Sequence, residues 1–147
     1  MATGLNDLIA ELDSARQPGY EIPFLTHGEA AFDRICQHIV LHDLPRRAVH
    51  NGLFVLFTLM ESCPHRAGDL LQFLLRLAEK TNDEYMRGDA AATAIRIAML
   101  ARHPRVTVPP ELLQGVDAQL SNALERGVTP IDRDYILAFL STHQEHD

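Results

Sequence analysis

Residues Leu53 to Met60 read LFVLFTLM, and Thr58 is the one member of that run that is not apolar. The run is far short of the roughly 20 residues that cross a bilayer, so it is no membrane anchor. Pro45 stands where a first helical turn tolerates proline, and the segment behind it, Pro45 to Ser62, is too long for a strand. The segment therefore reads as a helix. A helix apolar nearly all round needs cover on more than one side. Leu53, Leu56 and Met60 are expected to meet one neighbour, and Phe54 and Phe57 to meet others. The rest of the chain has to supply further helices in layers.

Periodicity of about 3.6 residues supplies them. It predicts seven helices, over Thr3–Arg16, Glu29–His42, Pro45–Ser62, Arg66–Thr81, Asp83–His103, Pro110–Arg126 and Ile131–His143, with proline or glycine near most junctions. Strand patterns are nearly absent. The expected fold class is all-α. At 147 residues the chain is the size of one domain and buries about 68 to 70% of its unfolded surface. It is read as a single all-helical domain, 1–147, with one core and no need of staples.

An internal repeat organises these helices. His42 to His65 aligns without a gap to Asn82 to Arg105 at an offset of 40, which carries Asp43 onto Asp83, Arg47 onto Arg87 and Pro64 onto Pro104. The same offset carries Gly28 onto Gly68 and Glu29 onto Asp69. The repeat-like units run about 28–63, 66–104 and 109–143, the last without the Asp and Arg signature. One such pair of helices cannot bury both its faces and needs stacked neighbours. The amphipathic segment 3–16, with Leu5, Leu8, Ile9 and Leu12 on one side, is expected to cap one end.

A helix pair of about 40 residues, an aspartate at the turn, then an apolar residue, an arginine and spaced alanines (Met86, Arg87, Ala90, Ala91, Ala94) resembles a HEAT-like or ARM-like helical repeat. The resemblance implies a short, right-handed α-solenoid of antiparallel pairs. It also implies a ladder at the turns, formed by Asp43, Arg47, Asp83 and Arg87, and second helices that line one face. On the second helix of the middle pair, Asp89, Thr93 and Arg96 are then candidate partner contacts.

Charge narrows the partner. Twenty acidic against thirteen basic side chains leave a formal charge of −7. That disfavours duplex nucleic acid, whose binding rests on neutralising phosphates, and favours a basic protein. Two cysteines, Cys36 and Cys63, are too few for a disulfide framework. With acids where a secretory signal has basic residues, and no membrane-length apolar run, the expected localisation is cytoplasmic.

Signatures of catalysis are missing. No GxGxxG or GxxxxGK stretch occurs, and no local nucleophile and base stand together. Cys63 before Pro64 reads as a packing thiol. His38 and His42 stand four apart, a spacing that chelates a metal, yet the third ligand would have to come from His50, Asp43 or Glu79. No cofactor and no metal are expected. The acid pairs Asp83 with Glu84 and Asp132 with Asp134 open helices, where carboxylates cap free amides.

Two further groups are candidate contacts. Arg66, Arg102 and Arg105 gather with histidines at one set of junctions and form an edge able to meet an anion. The arm Gln17 to Gly28 holds two prolines, so it is not helical throughout, and it carries Tyr20 and Phe24 as partner-binding candidates. The function expected is a non-enzymatic protein-binding module, an immunity, inhibitor or adaptor protein that masks a basic toxin or enzyme domain. The alternatives are a nucleic-acid-associated HEAT-like protein using the arginine edge and a metal-dependent helical hydrolase. A homodimer is compatible with the apolar middle helix.

Overall fold

The computed structural model describes residues 4–12, 19–41, 44–102 and 106–145. Among them are seven α-helices and no strand: α1 (Leu5–Leu12), α2 (Gly28–Leu41), α3 (Arg46–Ser62), α4 (Ala67–Lys80), α5 (Glu84–Arg102), α6 (Pro110–Arg126) and α7 (Pro130–Glu145). Six of the seven match the periodicity reading to within one or two residues at each end. For α1 the shared part is Leu5–Leu12, because residues 13–18 lie outside the described set. The 19–28 arm departs from coil by forming a 3-10 helix over Ile22–His27, with Pro23 in its first turn. No helix among the described residues is long and apolar enough to cross a membrane.

The contacts divide the chain into two compact units, residues 1–64 and 65–147. In the first, α1, α2 and the 3-10 helix pack on α3 and on one another. The apolar run behaves as a buried helix: Leu53, Val55, Leu56, Leu59 and Met60 are all buried. Phe54 departs from the expectation of full cover. It is 41% exposed, and its ring meets that of Tyr20 with centroids 5.8 Å apart. Gly52 explains how α2 comes so close to α3, since a Cβ there would lie 3.0 Å from Ile39 Cδ1.

One polar group ties this unit together. The Asn51 side chain is buried, where its amide donates to the Leu12 carbonyl at 2.9 Å and its oxygen accepts from the Tyr20 hydroxyl at 3.2 Å. Leu12 is the last described residue of α1. Asn51 therefore joins α1 and the arm to the middle of α3.

In the second unit, α4 and α5 form one helical hairpin and α6 and α7 another. The first helices, α4 and α6, pack together, and so do the second helices, α5 and α7. Asp83 starts α5 by accepting from the Tyr85 and Met86 amides at 2.8 and 3.2 Å. α5 touches α4, α6 and α7, which its small residues Gly88, Ala90, Ala91, Ala94 and Ala98, all buried, make possible. At Gly88 the approach is so close that a Cβ would lie 2.2 Å from Asp132 Oδ2.

Arginines close the turn end of this unit. Arg87 is 3% exposed and donates to the carbonyls of Thr81 at 2.8 Å, Arg126 at 3.3 Å and Gly127. Those carbonyls follow α4 and end α6, so one guanidinium serves two helix ends. Its Nε finds no partner among the described residues. Arg126 reaches the other way, donating to the carbonyls of Ala78, Glu79 and Thr81. Gly127 turns the chain between α6 and α7 with φ of 107°, a conformation glycine adopts without strain.

Replacing Arg87 with Met should cost about 3 kcal/mol, because a buried guanidinium and three part-buried carbonyls lose each other, whereas Arg126→Met, at an exposed side chain, should cost about 1 kcal/mol or less. Equal losses in urea unfolding would contradict the assignment. Asn51→Ala should cost about 1 to 3 kcal/mol by removing its buried bonds to the Leu12 carbonyl and the Tyr20 hydroxyl. Gly88→Ala should also destabilise, by about 1 to 3 kcal/mol, since the added methyl meets Asp132 before α7 can settle.

Candidate functional site

The second unit carries an exposed surface built on α5 and α7. Going up α5, the residues Tyr85, Asp89, Ala92, Arg96 and Met99 recur at intervals of four and three and so share one stripe. Tyr85 and Met99 are 53% and 46% exposed. Arg96 is exposed, and Asp89 and Ala92 are partly so. On α7 a parallel stripe holds Ile131, Tyr135 and Ala138, with Ile131 84% exposed.

Three contacts register these helices. Asp132 lies over Gly88, the Tyr135 hydroxyl lies 4.0 Å from the Met99 sulfur, and the Arg102 guanidinium sits 5.4 Å from the centroid of the Phe139 ring. Together they show the two helices running the same way. The joint face therefore has the carboxylate of Asp89 toward the start of α5 and the guanidiniums of Arg96 and Arg102 toward its end. Apolar Tyr85, Met99, Ile131 and Tyr135 lie beside them. Neither Arg96 nor Arg102 has an ion-pair partner among the described residues.

The partner-binding candidates distribute unevenly over the fold. Asp89 and Arg96 fall on the α5 stripe, but Thr93 does not. Its side chain is buried beside Ala90 and Ile97 on the inward flank of α5, and its hydroxyl donates to the Asp89 carbonyl. Phe24, likewise read as a contact on the arm, is 2% exposed, because the 3-10 helix turns it inward between α1, α2 and α3. Tyr20 remains half-buried, bonded to Asn51 and against Phe54.

Of the arginine edge, Arg66 pairs with Asp69 at 2.8 Å, Arg102 joins the α5 and α7 face, and Arg105 lies outside the described residues. The ladder residues also separate. Asp43 is outside the described residues, Arg47 is exposed at the start of α3, Asp83 caps α5, and Arg87 links the two hairpins of its unit through carbonyls. His42 is not described, and among the described residues no three of His, Cys, Asp and Glu come together as a metal could require.

Tyr85, Ala92, Met99, Ile131 and Tyr135 belong to the face although the sequence reading did not single them out. Their spacing on α5 and α7 was visible. What was missing was the side of each helix that its neighbours leave open. Comparison with family models, with curated proteins and with solved structures finds no significant match to this chain.

Proposed function

We propose that this protein is a non-enzymatic protein-binding module built on HEAT-like helix pairs, and that the face shared by α5 and α7 is its contact surface. The observation that carries the reading is the exposure of Tyr85, Met99, Ile131 and Tyr135 next to Arg96 and Arg102. Tyrosine, methionine and arginine are the residues enriched where proteins grip one another, with aromatic anchors carrying much of the energy. Two packed helices hold those side chains on a rigid backbone, so little ordering is left to be done on binding.

The net charge of −7 supports a basic partner, since opposite charge speeds encounter and selects among partners. Asp89 would meet one of its cations on the face. An immunity or inhibitor protein acting in the cytoplasm on a basic toxin or enzyme domain, or an adaptor, is the role proposed.

The test is capture from an extract of the source cells by immobilised wild-type protein and by a Met99→Asp, Tyr135→Asp variant. Both positions are solvent-exposed, so the variant should keep its helical circular dichroism. A single basic protein retained by the wild type and bound about a hundredfold more weakly by the variant is the expected result. Retention that is indifferent to the two substitutions would remove the assignment of the face.

A further inference from the structure

The α5 stripe is complementary in charge to its own reverse. In order it is aromatic Tyr85, acidic Asp89, small Ala92, basic Arg96 and apolar Met99. Reversing the helix about a point between Ala92 and Thr93 carries Asp89 onto the level of Arg96 and Tyr85 onto that of Met99 and Leu100. With a rise of 1.5 Å per residue, Asp89 and Arg96 each lie about 5 Å along the axis from that point.

We propose that a second copy of this chain docks on the α5 and α7 face, the two α5 helices antiparallel about a two-fold axis that passes over Ala92. This rests on the reading of that face as a protein-contact surface, for which the second copy and the basic partner would compete. A two-fold interface demands self-complementarity, because whatever residue i meets on the other copy must meet residue i in return. The stripe satisfies that demand twice, through Asp89 opposite Arg96 and through Arg96 opposite Asp89.

The remaining contacts agree. Ala92 is small and partly exposed, which lets two helix axes come to the roughly 8 Å at which helices with small contact residues pack. Tyr85 of one copy then faces Met99 of the other, a favourable sulfur and ring contact. Arg96, which has no ion pair among the described residues of its own chain, gains a carboxylate. On α7, Ile131 and Tyr135 widen the apolar part of the contact, and Arg102 remains at the rim.

Sedimentation velocity over about 5 to 500 µM tests this. The wild-type chain should associate to a dimer, with Asp89→Arg alone and Arg96→Asp alone each raising the dissociation constant about tenfold or more, a shift of about 1.4 kcal/mol. An equal mixture of the two variants should regain a constant within about threefold of the wild type, since each opposes the other's new charge. Ala92→Arg, which fills the axis without touching either charge, should leave a monomer, and circular dichroism on each variant checks that the helices persist.

A wild-type chain monomeric at the highest concentration, or a mixture no tighter than its parts, would overturn the dimer. A monomer that still captures a different protein through Met99 and Tyr135 would sink the second copy as occupant while leaving the binding module standing. A dimer that captures nothing else would do the reverse.

Discussion

Helices that end inside a packed structure leave carbonyls with no partner of their own, and the second unit depends on how Arg87 answers that need. A buried charge is costly unless it is surrounded by acceptors. Here the turn after α4 and the end of α6 supply them, so the cation and the orphan carbonyls satisfy each other. Neither hairpin could offer this alone. The bond from Arg87 to Gly127 exists because α6 stacks on α4, and the stacking is held at its turn end by Arg87 and, from the other side, by Arg126. In the first unit the buried Asn51 amide donates to the Leu12 carbonyl of α1.

With the turn end held, α5 is free to do two things at once. Its inward flanks are made of glycine and alanine, which let α4, α6 and α7 pack close around it, and Ile95 and Ile97 fill what space remains. Its one outward stripe is then left to carry large or charged residues. The contrast is sharp: the buried side of α5 is poor in bulk and the open side holds Tyr85, Arg96 and Met99. A helix whose interior contacts are satisfied by small groups can spend its large side chains on binding. That division is the physical ground for proposing this face as a contact surface.

Much of the architecture was legible in the residues. Pro45, Pro110 and Asp83 mark helix starts because of what their backbones and side chains permit there, and the structure starts helices at or beside them. The offset of 40 between Asp43 and Asp83 points to recurring helix pairs; the structure is compatible with helical pairs but identifies no repeat, and the hairpins that pack together in the second unit, α4/α5 and α6/α7, are not the pair that this offset aligns. The candidate site was less legible. Asp89 and Arg96 reach the surface while Thr93, between them in sequence, is buried, and Phe24, a candidate contact on the arm, turns inward. Arg87 was assigned to a ladder with aspartates, but its acceptors are carbonyls, which composition and spacing never display.

By itself, the order of residues determined that this chain is helical, where its helices begin and end, and that a segment as apolar as Leu53 to Met60 must be covered. Those outcomes depend on local rules: backbone torsions, capping and the recurrence of apolar groups within one helix. Only the tertiary structure decided which side of α5 its neighbours leave open, which carbonyls Arg87 and Asn51 serve, and that Met99 lies against Tyr135. These depend on contacts between residues far apart in the chain, and no periodicity within a single helix can say which of its flanks another helix will occupy.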